Sequence, residues 1–268
     1  MRNLIKKEKK HESVGEMLRF WRQLNRISQM DLALDIDISP KHLSFVETGR
    51  SNPSRDLVLK IAHSLKLPFR HRNAFLMAAG YTPEFEEQPF DGQKMEIVRG
   101  ALRRMLEKHE PYPAFVVNTG YKILMKNSGY DKIVKFYAGE KTLTKYDNAI
   151  RILFSEDGLR NYIIGWPAIE QFLLARLCEE VVSTQNTELK ALYKEMSQLR
   201  SNSEPIDFQI DSNLPIMSLV LEKNSKKASF FTMITTLGTP LDLTTQELRL
   251  EFLFPSDEYT KQLFHLEI

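Results

Sequence analysis

The stretch Ser28-Gln29-Met30-Asp31-Leu32-Ala33-Leu34-Asp35-Ile36-Asp37-Ile38-Ser39-Pro40-Lys41-His42-Leu43-Ser44-Phe45-Val46-Glu47-Thr48-Gly49-Arg50 decides how this 268-residue chain is read. Ser28 is a good N-cap with Asp31 three residues on, and Leu32, Ala33 and Ile36 form the buried face of a short helix. Asp37 stands where the chain must turn sharply. A second helix starts at Ser39, an N-cap followed by Pro40 at the first helical position, where a missing N–H costs nothing. Leu43 and Val46 point inward, and Gly49 ends this helix as a left-handed cap.

Outward from that pair the same helical spacing continues. Upstream, Val14, Met17, Leu18, Trp21 and Leu24 lie on one helical face. Downstream, Ser54 caps a helix carrying Leu57, Val58, Ile61, Ala62 and Leu65, and a further helix after Pro68 carries Phe75, Leu76 and Ala79 and stops at Gly80. Five short helices with a tight link between the second and third are the arrangement in which a recognition helix enters the major groove of DNA while its predecessor braces it.

The ordered residues Ser28-Gln29-x-x-Leu32-Ala33, Ile38-Ser39-Pro40-x-x-Leu43-Ser44-x-x-Glu47-x-Gly49-Arg50 and Pro53-Ser54 resemble the lambda-repressor-like, XRE-type helix-turn-helix family. Asp37 is a departure, because that family usually has glycine in the turn. The cost is small, since aspartate tolerates a left-handed conformation better than most residues. The resemblance implies that Gln29, at a helix N-terminus, bonds a phosphate. It also implies that Pro40, Lys41, Ser44 and Phe45, with Ser39 beside them, face the base edges. Lys41 would donate to guanine, and Pro40 or Phe45 would touch a thymine methyl. His42 and Arg50 would meet phosphate or stay solvated. Glu47 reads as structural, because a carboxylate facing DNA is repelled. The basic run Phe69-Arg70-His71-Arg72-Asn73 is suited to tracking the backbone.

Residues 81–94, with Pro83, Pro89 and several acids, read as a linker between a domain over 1–80 and a second over 95–268. Spacing predicts a helix over 95–109 and strands over 114–118 and 121–126 around a Thr119-Gly120 turn. Helices follow over 128–137, 156–163, 167–182 and 187–199, with strands near 206–211, 215–223, 227–236 and 247–254. That order makes an α+β domain with an antiparallel sheet, similar to a PAS-type sensor. The runs His42–Arg50, Ala78-Ala79-Gly80-Tyr81, Glu110-Pro111-Tyr112-Pro113-Ala114, Asp157-Gly158-Leu159-Arg160 with Trp166, and Phe230-Phe231-Thr232 through Thr239-Pro240 resemble MmyB-type regulators. The resemblance implies a C-terminal ligand-binding domain, with fatty-acid-like compounds as the implied ligand class. Large adaptable side chains, among them Phe115, Met125, Trp166, Phe172, Phe231 and Met233, are the candidate lining of a lipophilic pocket, against the alternative that they simply fill the core.

Charge divides along the same boundary. Residues 1–80 carry 15 lysines and arginines against eight acids, and residues 81–268 carry 22 against 27. A basic domain favours a polyphosphate partner. The single cysteine, Cys178, excludes an internal disulfide framework and reads as a small buried residue. Six histidines lie scattered without metal-ligand spacing, and no nucleophile elbow or glycine-rich phosphate loop occurs. The acidic pairs Glu86-Glu87 and Glu179-Glu180 read as solvated charge. No apolar run is long enough for a signal peptide or a membrane span, which places the expected protein in the cytoplasm.

The reading is a non-enzymatic regulator binding a double-stranded DNA operator as a homodimer. It needs no cofactor and responds to a small lipophilic effector. Two alternatives stay open: a C-terminal domain that is only a dimerisation or protein-interaction module, and an enzyme domain tethered to a helix-turn-helix.

Overall fold

Serine side chains set the first helix starts. In the computed structural model, which describes residues 13–200 and 218–266, four helices begin alike: α1 (Val14–Leu24), α2 (Gln29–Asp35), α3 (Pro40–Glu47) and α4 (Arg55–Ser64). In each, the preceding serine, Ser13, Ser28, Ser39 or Ser54, accepts a hydrogen bond from the backbone N–H three residues on. One orphan donor per helix is satisfied that way. The turn after α2 places Asp37 at φ 55°, as its position required. Helix α5 (Phe69–Ala78) follows Pro68. Leu18, Leu32, Leu43, Val46, Val58, Ile61, Phe75 and Leu76 are completely buried in one cluster. Each contributes roughly 1.5–3 kcal/mol by leaving water.

This helical unit runs beyond Gly80, to Gln88, and includes residues 240–246. Asn73 Oδ1 accepts from the backbone N–H groups of Glu84 and Phe85, its Nδ2 donates to Phe85 O, and the Phe85 ring stacks on Phe69 with centroids 3.8 Å apart. Half of the segment read as a linker is therefore packed structure. The basic run at 69–73 is turned toward it: Arg70 pairs with Glu87 at 2.7 Å, and Arg72 Nε donates to Leu67 O. The Leu243 N–H donates to Glu86 O, and Thr244 Oγ1 donates to Gln88 O.

The second unit comprises residues 89–239 and 247–268. It holds α6 (Glu96–Lys108), β1 (Ala114–Val117), β2 (Ile123–Lys126), α7 (Ser128–Ala138), α8 (Glu140–Lys145), α9 (Ala149–Phe154), α10 (Trp166–Thr184), α11 (Thr187–Gln198), β3 (Leu219–Lys223) and β4 (Lys226–Thr235). After the short α12 (Leu243–Glu247) come β5 (Arg249–Pro255) and α13 (Glu258–Leu266). The five strands form one antiparallel sheet in the order β2-β1-β5-β4-β3. The molecule thus has an all-α helix-turn-helix region followed by an α+β, PAS-like domain.

Local differences from the sequence reading have physical causes. The helix expected over 156–163 shrinks to a 3-10 turn at Arg160–Tyr162, because the chain folds back so tightly at Gly158 that an added Cβ would lie 2.1 Å from Ile152 O. Helices α8 and α9 lie in the stretch before it, α9 capped by Asn148, whose side chain accepts from the Ile150 and Arg151 N–H groups. The strand expected at 206–211 lies outside the described residues. Cys178 is half-buried rather than enclosed.

Register sorts the sheet residues between two faces. Ala114 pairs with Phe252 and Val116 with Leu250, and these pack with Met95, Leu102 and Leu106 against α6. Phe115 pairs with Glu251 and so belongs to the opposite face.

Candidate DNA-reading helix and ligand cavity

Helix α3 presents one face to solvent because Leu43 and Val46 are spent on the core. Ser39, Pro40, Lys41 and His42 are exposed, and Ser44 and Phe45 are half-buried. The C-terminus of the helix closes in a Schellman motif: the Arg50 N–H donates to Phe45 O at 2.8 Å and the Gly49 N–H to Val46 O, with Gly49 at φ 71°. That turn folds Arg50 back over its own helix. Its guanidinium sits 5.8 Å from the Phe45 ring centroid, and Lys41 Nζ lies 5.7 Å from the same ring. Two cations therefore share one aromatic plate on the exposed face, an arrangement suited to a polyanion.

Glu47 holds this helix against its neighbours. Its side chain is wholly buried and accepts from Arg22 Nε at 2.6 Å, Arg22 Nη2 at 3.2 Å and Gln29 Nε2 at 2.6 Å. Burial alone would raise its pKa, but the hydrogen bonds from Arg22 and Gln29 and the charges of Arg22 and Arg19 outweigh it and hold the carboxyl below its ordinary value. Arg22 also donates to Ile27 O. One carboxylate thus ties α1, the entry to α2, and α3 together. Gln29 donates through its amide to Glu47, which orients the side chain at the start of α2.

In the second unit the concave side of the chemistry is a cavity of about 280 Å³, near the lower end of the roughly 300–1,000 Å³ spanned by small-molecule pockets. Its wall is mostly aliphatic, with Ile133, Ile150, Leu153, Ile169, Leu173 and Leu253 prominent. Of the six side chains picked from sequence, Phe115, Phe172 and Phe231 line it. The other three do not. Met125 pairs with Val116 and Met233 with Phe252, so both belong to the sheet face that carries α6. Met233 is 55% exposed there, beside Met105, Phe252 and Phe254. Trp166 is buried edge-on against Phe154, its Nε1 donating to Glu170, and fills core rather than cavity.

Sequence reasoning missed the polar end of the cavity. Arg176 and Glu251 both line it. Behind them Arg249 Nη1 donates to Glu180 Oε2 at 2.8 Å, Arg176 Nε donates to Glu180 Oε1 at 3.0 Å, and the Tyr121 hydroxyl donates to Glu180 Oε1 at 2.8 Å. Glu180, read as solvated charge, is instead the acceptor of three donors. Burial works to raise its pKa, but Arg249 and the hydrogen bonds prevail and lower it. Glu251 goes the other way: burial raises its pKa despite Arg176 and Arg249. The signal available in the sequence was a lone glutamate enclosed by large apolar residues, Leu250-Glu251-Phe252-Leu253.

Among the described residues no group of three or more potential metal ligands occurs, and no helix is long and apolar enough to cross a membrane. Two family models match the chain: a helix-turn-helix over residues 18–71, and the MmyB-like transcription regulator ligand binding domain over residues 98–212. No curated protein matches it.

Proposed function

From a chain that carries an XRE-type helix-turn-helix and an MmyB-like ligand-binding domain, and is therefore a DNA-binding transcription regulator, we propose that a small lipophilic effector in the second domain controls operator binding by the first. The observation that carries this is the cavity itself: a pure dimerisation or interaction module would have its aromatics packed solid, whereas here three of them border an apolar space of about 280 Å³. The tethered-enzyme alternative finds less support, because the perturbed carboxyls at the cavity end are engaged with arginines rather than set beside a nucleophile.

In this reading Lys41 and Phe45, with Ser39, Pro40 and Ser44, meet base edges, while Gln29, His42 and Arg50 meet phosphates. The protein works in the cytoplasm as a homodimer, since a single helix-turn-helix covers little DNA and two half-sites about 34 Å apart are the common solution. The effector acts by population shift, binding one arrangement of the dimer better than another. No cofactor or metal takes part.

Selection of genomic fragments by the purified chain, before and after solvent extraction of co-purified lipid, tests this. A palindromic site whose affinity changes on extraction is the expected result. A site indifferent to extraction and to added lipophilic compounds would return the second domain to the role of an interaction module.

A further inference from the structure

At the polar end of the cavity a buried carboxylate and a guanidinium face each other across a long ion pair. Glu251 is buried, and its Oε1 accepts no hydrogen bond; Arg176 Nη2 lies 3.5 Å away, an ion-pair contact too long to satisfy it. Arg176 donates its Nε to Glu180 and packs over the Tyr121 ring at 5.6 Å, while its Nη2 comes no closer than 3.5 Å to Glu251, which leaves its terminal N–H groups only weakly engaged. A buried carboxylate oxygen without a donor is costly, and most of the cavity wall is aliphatic.

The charge of the cluster then selects what fits. The groups around Glu251 are Arg176 and Glu180 from α10, Arg249 from its own strand, and the hydroxyls of Tyr121 and Tyr130. With all four charged side chains ionised, two arginines balance two glutamates. We propose that the cavity takes an amphipathic ligand with an uncharged head that both donates and accepts, a primary amide or a hydroxyl on an aliphatic chain, seated between Arg176 and Glu251. The head's oxygen accepts from the Arg176 terminal N–H groups, and its N–H or O–H donates to Glu251 Oε1. A carboxylate head satisfies Arg176 but brings a third negative charge and no donor, so it enters only together with a proton on Glu251. Burial of Glu251 makes that protonation reachable, but progressively less so as pH rises.

This inference rests on the reading of the cavity as an effector site, and the test separates the two. The delipidated full chain is titrated calorimetrically with octanamide, octanol and octanoate at about pH 8 and about pH 6. Octanamide and octanol are expected to bind equally at both values, and octanoate about tenfold or more weaker than octanamide at the higher pH, the gap closing at the lower one. Glu251→Gln, which removes one negative charge at nearly constant shape, is expected to raise octanoate affinity about tenfold and to flatten its pH dependence. Octanoate binding the unmodified chain as tightly as octanamide at the higher pH overturns the head-group assignment and leaves the effector cavity standing. Failure of all three probes to bind overturns the cavity reading itself.

Discussion

At the scale of single residues, Glu47 of the first unit and Glu251 of the second are buried carboxyls shifted in opposite directions. Glu47 is buried with its partners in place, and its pKa is lowered. Its contribution to stability is therefore complete above the unfolded carboxylate range and is lost as pH falls through the depressed folded value. Because the chain has two tryptophans, Trp21 and Trp166, acid unfolding of the first domain can be followed by Trp21 fluorescence in a Trp166→Phe background, and Glu47→Gln is expected to flatten its acid limb. Glu47→Ala leaves Arg22 buried without its anion and should cost about 3 kcal/mol in urea unfolding followed by the same Trp21 fluorescence. Lys41 lies on the exposed face of α3 over Phe45. Lys41→Ala is expected to relax specificity at one operator position at a cost of roughly 1–3 kcal/mol, read by competition against single-base operator variants. Equal loss on every variant would assign Lys41 to phosphate instead. The exposed residues of α3 were legible because that helix is written in caps and apolar spacing. Glu47 was legible only as structural: its partners Arg22 and Gln29 are 25 and 18 residues away.

At the scale of elements, close backbone approach is what the sequence leaves unannounced. Helix α1 crosses α3 at Gly15, where an added Cβ would meet Glu47 O at 2.5 Å and Val46 O at 2.6 Å. Those are backbone atoms and cannot swing aside. Gly15→Ala, ordinarily favourable inside a helix, is therefore expected to destabilise the first domain by about 1–3 kcal/mol, a reversal that the Trp21 unfolding assay would show directly. Asn127 is a second such hub: its Oδ1 accepts from the Tyr130 and Ala114 N–H groups, while its Nδ2 donates to Tyr112 O and Leu106 O. One side chain caps α7 and ties it to α6 and β1. Helices α2 to α6 were recovered closely from periodicity. The stretch from 139 to 163 was not, since Gly139 at φ 92° and the tight fold at Gly158 break it into pieces too short to show a period.

At the scale of the whole molecule, regulation needs space that a ligand can occupy. Ile133 is buried on the cavity wall, and a larger residue there fills that space from within. Ile133→Phe is expected to keep operator affinity within about threefold of the unmodified chain while losing any response to added lipophilic effector, because a ligand can shift an equilibrium only through the contacts it makes. A variant that still responds fully would place the effector elsewhere. Glu251 in the second domain runs opposite to Glu47: its ionisation is disfavoured in the folded state, so its contribution declines as pH rises through and above the unfolded carboxylate range, whereas Glu180 beside it acts in the sense of Glu47.

What the sequence determined by itself is whatever is written locally. Serine caps, a proline at a first helical turn, a glycine and an aspartate in left-handed positions, and apolar residues at helical spacing were enough to place a helix-turn-helix and to name its exposed face. The tertiary structure decided which face of a buried sheet each residue joins. Large apolar residues stand on both faces of these strands, so residue type carries no address; pairing register placed Phe115 on the cavity face and Met125 and Met233 on the other. It also decided that Glu180 and Glu251, 71 residues apart in the chain, meet the same two arginines, because charge pairing across a fold depends on distance in space, and sequence separation does not report it.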